Sequence, residues 1–270
     1  MKRVFSEDIG ASKLIIAQNA DGYVGTIWQG GQTKETIEHA DLEALKASLR
    51  NLAGTLHPDY FGIEGAKGRF CSFFPGGFTD ATYLAKERDY KDKARSALNI
   101  AVPLDRALEA DAGDALGCRK GLATNLLSRF EAARLSEVLA SREGPMFVRA
   151  AASFAFEPDP QSLRALEKAI EPHGRGSWPL MTYLPFLWSP DTQMFLKPEA
   201  TKDFAVRVGH RFATDYEASL DFDVYTALLD LAQWTQAHIG DLDPRDRIDV
   251  QSFIWVVGSY TDADREEMGR

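Results

Sequence analysis

Cysteine is scarce in this sequence. Cys71 and Cys118 are the only two in 270 residues, too few for a disulfide scaffold or a four-thiolate zinc site and too far apart to suggest a redox pair. Both are expected to be reduced thiols. Long apolar runs are also missing: the longest, Met181 to Trp188, is interrupted by Thr182 and Pro185, well short of the roughly 20 residues a membrane helix needs. No membrane association is expected. The opening residues Met1-Lys2-Arg3-Val4-Phe5-Ser6 are basic, with no apolar stretch of signal-peptide length behind them, so a cytoplasmic location is expected. Positive charge is in deficit, with 31 Lys and Arg against 40 Asp and Glu for a net charge of -9. That balance argues against a protein that coats nucleic acid indiscriminately, because such affinity comes from neutralised phosphates.

Several chemical signatures are absent as well. The histidines at 39, 57, 173, 210 and 238 show no spacing that would set two metal ligands on one helical face. The turn Pro75-Gly76-Gly77 lacks the glycine and lysine spacing of a phosphate-binding loop, and neither Cys71 nor Ser72 lies in a nucleophile-elbow context. No catalytic residue, metal ligand or cofactor is therefore assigned.

What the chain has in quantity is helical patterning around one aromatic stretch. Trp178 to Pro198 carries two Trp, one Tyr and two Phe, punctuated by Pro179, Pro185, Pro190 and Pro198. Each proline removes a donor and crowds the preceding turn, so this stretch is expected to be a broken or extended segment, buried by the helices around it. Ahead of it, residues 13 to 28 read as two strands joined at Asn19-Ala20-Asp21-Gly22, with a third near 33 to 38. Asp41 as cap, Leu at 42, 45, 49 and 52, and Gly54 then spell an amphipathic helix. Residues 57 to 79, rich in Gly, Pro and Phe, read as a packed connector. A charged helix follows from about 81 to 100. Later helices are expected at 104 to 111, 114 to 120, 124 to 141, 145 to 156, 161 to 171, 200 to 208 and 221 to 238, with a last one opened by Asp243-Pro244 and running to Val257. Residues 261 to 270 are polar and expected to fray. The fold class is thus α+β: a small amino-terminal antiparallel β-meander with one helix (1–56), packed on a larger, mainly α-helical domain (57–260).

Between Gly65 and Ile100, seven cations face four acids, so this window is net positive within an acidic chain. Lys67, Arg69, Arg88, Lys91 and Arg95 are its anion-binding candidates, beside a glycine turn running into a helix start. The alternative is a solvated helix face with i,i+4 pairs such as Glu87 to Lys91 and Asp89 to Lys93. Pro58-Asp59 with Asp89-Tyr90-Lys91 also follows the acid, acid-x-lysine order of many metal-dependent nucleases, although here the second acid and lysine lie mid-helix rather than on an apolar strand. Arg245 and Asp246 open a helix whose second half is apolar nearly all round, and could form a buried network or hold a ligand. From Asp215 onward thirteen acids face four bases, suiting a solvated face or a basic partner.

Taken in order, Phe61-Gly-Ile-Glu-Gly-Ala-Lys-Gly-Arg-Phe70, Phe74-Pro-Gly-Gly-Phe78, Glu87-Arg-Asp-Tyr-Lys91, Thr124-Asn-Leu-Leu-Ser128, Trp178-Pro179 with Phe195-Leu-Lys-Pro198, and Pro244-Arg-Asp246 followed by Ile248-Asp-Val-Gln-Ser-Phe-Ile-Trp-Val-Val257 resemble a family of uncharacterised bacterial proteins of about this length. The resemblance spans residues 60 to 260 and carries no activity or catalytic residue with it. It implies a bacterial intracellular protein. The functional expectation is a non-enzymatic binding or accessory protein working with nucleic acid or a nucleic-acid-processing partner. The other reading is a divalent-metal hydrolase or nuclease using acids among Asp59, Glu64, Glu87 and Asp89. Oligomeric state is not legible.

Overall fold

The computed structural model describes residues 2–9, 12–56 and 59–268. Four antiparallel strands form a meander in the order β1-β2-β3-β4: β1 Lys2–Ile9, β2 Ser12–Gln18, β3 Tyr23–Gln29 and β4 Gln32–His39. The expected hairpin and third strand are present, and β1 adds a strand that the sequence pattern does not announce. Its sequence, Lys-Arg-Val-Phe-Ser-Glu-Asp-Ile, is too charged to show a strand pattern, and the β1 face is mostly solvated. The turn between β2 and β3 closes with the Asn19 N–H on the Gly22 carbonyl at 3.0 Å.

The helix Leu42–Thr55 starts on Asp41, whose carboxylate accepts the Ala44 N–H at 2.7 Å, and it packs Leu45 and Leu49 on Leu14, Ile16 and Ile27. Gly25 on β3 permits the close approach, since a Cβ there would stand 2.4 Å from a Leu49 methyl. This sheet and helix enclose an apolar cluster of their own, separate from the large one in the helical region. The fold is α+β.

The connector is more ordered than its glycines suggest, because Gly62–Phe73 forms a helix. Phe70, Phe73 and Phe74 are buried, and the Phe70 ring lies within 6 Å of those of Phe74, Phe78, Tyr83 and Phe253. Aromatic burial there outweighs the low helix propensity of glycine. Pro58 lies outside the described residues.

Trp178–Trp188 is a helix, not the extended or broken segment expected, and every one of its residues is buried. Pro179 sits in the first turn, where a missing N–H costs nothing, leaving Pro185 as the single interior interruption. Irregular chain begins after Trp188, and its polar groups find both backbone and side-chain partners. The Leu196 N–H donates to Thr182 Oγ1 at 3.1 Å, the Gln193 amide to the Ala155 carbonyl at 3.0 Å, and the Tyr225 hydroxyl to Gln193 Oε1 at 2.6 Å.

Three boundaries also shift. The helix expected from 124 begins at Arg129, capped by a reciprocal Ser128–Glu131 box, so residues 123–128 stay irregular. The last long helix opens on Asp246, not on Asp243-Pro244: Asp243 is left-handed (φ 55°), while Asp246 accepts the N–H groups of Ile248 and Asp249. Residues Asp262–Glu267 form a short helix where fraying was expected. Gly269 and Arg270 lie outside the described residues.

Candidate functional site

The charged helix over 81–101 is not a regular α-helix. Its residues Leu84–Arg88 form a wide π turn, a distortion that recurs at functional sites. Glu87, Arg88 and Lys91 follow from it into the interior, at 3 %, 5 % and 0 % exposure. The alternative of a solvated helix face does not hold at Arg88 and Lys91, which are buried. The i,i+4 pair Glu87–Lys91 does form, at 3.2 Å, but inside the protein.

Arg88 forks onto Asp246, with Nη1 to Oδ1 at 2.6 Å and Nη2 to Oδ2 at 2.8 Å, while its Nε reaches Asp92 at 2.7 Å. Arg88 Nη1 also meets Asp249 at 3.0 Å. Asp249, fully buried, accepts the Tyr83 hydroxyl at 2.5 Å and two bonds from the Arg245 guanidinium at 2.8 and 2.9 Å. Burial opposes the Asp249 charge, yet the hydrogen bonds from Arg245 and Tyr83 outweigh it and hold the carboxyl below its ordinary range. Burial likewise opposes the charge on Arg88, but its bonds to Asp246 and Asp92 raise its pKa. Arg245 and Asp246 thus belong to a buried network, one of the two roles the sequence allowed them.

Lys91 closes the network on its other side. Its ammonium donates to Ser252 Oγ at 2.7 Å as well as to Glu87, whose second oxygen accepts the Tyr260 hydroxyl at 2.6 Å. Desolvation lowers the Lys91 pKa although Glu87 works in the opposite direction. Three cations and four acids are consumed in this way, binding the helix over 81–101 to Arg247–Ser259.

Beside Lys91 lies a small recess lined by Tyr90, Lys91, Asn125, Leu126, Phe195, Lys197, Gln251 and Trp255. Its volume is about 20 Å³, the room of one water molecule. Gln251 is 4 % exposed and its Oε1 has no hydrogen-bond partner among the described residues. The irregular stretch before Arg129 brings in Asn125, whose amide bonds the Tyr90 hydroxyl. Thr124 Oγ1 lies 2.7 Å from the Tyr183 hydroxyl and Lys197 donates to the Leu126 carbonyl at 2.8 Å, so that stretch is braced on both sides. Lys197 and Trp255 also line an open groove of about 570 Å³, with Pro179, Pro198 and Tyr216 along it.

The remaining predicted cations lie elsewhere. Lys67 is held at the surface by Glu64 at 2.7 Å and Asp241 at 3.1 Å. Arg69 donates to the Tyr260 carbonyl, and Arg95 is half-buried on the charged helix. The structure brings Arg88 and Lys91 together but does not assemble all five into one exposed patch. Among the described residues no three His, Cys, Asp or Glu side chains group to hold a metal ion. Of the four acids considered for metal binding, Glu64 is committed to Lys67, Glu87 to Lys91 and Tyr260, and Asp89 is exposed.

Sequence reasoning missed Asn125, Lys197, Gln251 and Trp255, because four separate stretches of the chain meet at the recess only in the fold. No protein-family profile, curated protein or solved structure matches the chain.

Proposed function

We propose that this is a non-enzymatic binding protein that acts with nucleic acid, holding one base of a single strand at the mouth of the recess. The observation that carries the reading is the convergence of four separate stretches of sequence on one hollow whose lining suits a base. Tyr90 and Trp255 offer rings for stacking, Asn125 and Gln251 offer amides for a base edge, and Lys197 offers positive charge. With room for about one water, the recess admits only an exocyclic polar group, so the ring itself lies in the adjoining groove against Trp255. Gln251 Oε1, buried without a partner, supplies an acceptor for an amino group there. The overall acidity of the chain keeps such binding from becoming indiscriminate. A metal-dependent hydrolase has less in its favour, because Glu87 is already engaged by a cation and a phenol.

The test is fluorescence anisotropy with labelled single-stranded homopolymers. Saturable binding that weakens about tenfold or more in Trp255→Ala, with a base preference that shifts in Gln251→Leu, supports the reading. No saturable binding of any strand up to about millimolar protein removes it.

A further inference from the structure

The groove does not end at Trp255. Gly176 lines both the groove and a second open hollow of about 530 Å³, which is bordered by Arg164, Lys168 and Arg175 together with Glu167 and Glu171. Arg164 and Lys168 are one helical turn apart on Pro160–Ile170, and with Arg175 all three are exposed. Beneath the rim runs Gly174, at φ 100° and ψ -178°, a conformation closed to other residues. A Cβ at Gly174 would stand 3.0 Å from Arg134 Nη2, so the glycine lets the loop settle directly on that guanidinium. Arg134 Nε and Nη2 are buried with no hydrogen-bond partner among the described residues. Three cations and two acids therefore line this hollow, leaving it net positive, and the Arg134 guanidinium lies buried under Gly174.

We propose that this hollow is a phosphate-holding subsite for the strand whose base occupies the recess, so that recess, groove and hollow form one continuous track. The inference rests on the nucleic-acid reading and adds where the backbone runs: from Trp255 past Pro179 and Gly176 to Arg175 and Lys168. Rings at one end and guanidinium and ammonium groups at the other match a polymer that alternates bases with phosphates.

The experiment measures single-strand affinity against salt for the wild type, Trp255→Ala and the double variant Lys168→Ala/Arg175→Ala. Both changed cations are exposed, so the fold is retained, and circular dichroism checks it. The double variant is expected to flatten the slope of log affinity against log salt by roughly 1.4, about 0.7 for each phosphate of the single strand that is no longer neutralised. Trp255→Ala is expected to weaken binding and leave the slope intact. If the strand binds and depends on Trp255 while the double variant keeps the wild-type slope, the track is wrong and the base site stands. If the wild type binds no strand, both fall.

Discussion

Arg88 and Asp246, 158 residues apart in sequence, meet in a two-pronged ion pair at 2.6 and 2.8 Å while Asp246 also caps the helix Arg247–Ser259. The same carboxylate thus starts one helix and neutralises a cation buried on another. Arg88→Ala leaves Asp246 and Asp249 short of a partner in the interior, and is expected to destabilise the protein by about 3–5 kcal/mol in urea denaturation. Asp92→Ala, on the solvated side of Arg88, is expected to cost about 1 kcal/mol or less.

Lys91 and Glu87 allow a test of coupling. Lys91→Met keeps the aliphatic stem but strands the Glu87 carboxylate, and a loss of about 3–5 kcal/mol is expected. Adding Glu87→Gln should recover a good part of it, because the second change removes the uncompensated charge. A double-mutant cycle by chemical denaturation reads the coupling directly, and additive losses would contradict it.

The pH dependence of stability is expected to carry a mark from His210. This side chain is 9 % exposed; its Nδ1 accepts the Phe212 N–H at 3.1 Å, which leaves the proton on Nε2, facing Asp230 at 3.5 Å. Burial pushes its pKa down to about 4, against the pull of Asp230 and with the repulsion of Arg211, Arg50 and His238. The unfolded chain takes up the proton near pH 6.5 and the folded one only near 4, so stability from this group is full above about 6.5 and is lost as pH falls through that window. The difference in unfolding free energy between wild type and His210→Asn should shift by up to roughly 3 kcal/mol between pH 7 and pH 4. A constant difference would place the titration elsewhere.

Two helical glycines should respond with opposite sign. At Gly258 a Cβ would come within 2.2 Å of the Ala200 carbonyl oxygen, where Pro198–Val208 crosses Arg247–Ser259. Gly258→Ala is expected to cost about 1–3 kcal/mol by forcing the two helices apart. Gly68 meets nothing within 4 Å, and Gly68→Ala is expected to stabilise by up to about 1 kcal/mol. Thermal unfolding of both variants checks the pair.

What could be read from the sequence was whatever depends on neighbours in the chain. The Leu stripe and Asp41 cap gave the helix at 42–55, and Asp21-Gly22 gave the hairpin of β2 and β3. Prolines misled at Trp178–Trp188, because full burial on all sides holds a helix together despite Pro185. Ser128 and Glu131 spell a capping box, and a helix start placed earlier, at 124, hides the irregular stretch presenting Asn125. The interior fate of Arg88 and Lys91 was beyond local pattern. Their charges resemble any solvated face until Asp246, Asp249 and Ser252 are brought against them from the far end of the chain.

That distance has a consequence for biosynthesis. Until residues beyond 245 have left the ribosome, Arg88 and Lys91 lack Asp246, Asp249 and Ser252, the counterparts that make their interior position tolerable. The helix packs on Cys118–Leu122 and Trp178–Trp188 before then, but a nascent or truncated chain ending short of Asp246 leaves these two charges inside it without the groups that neutralise them.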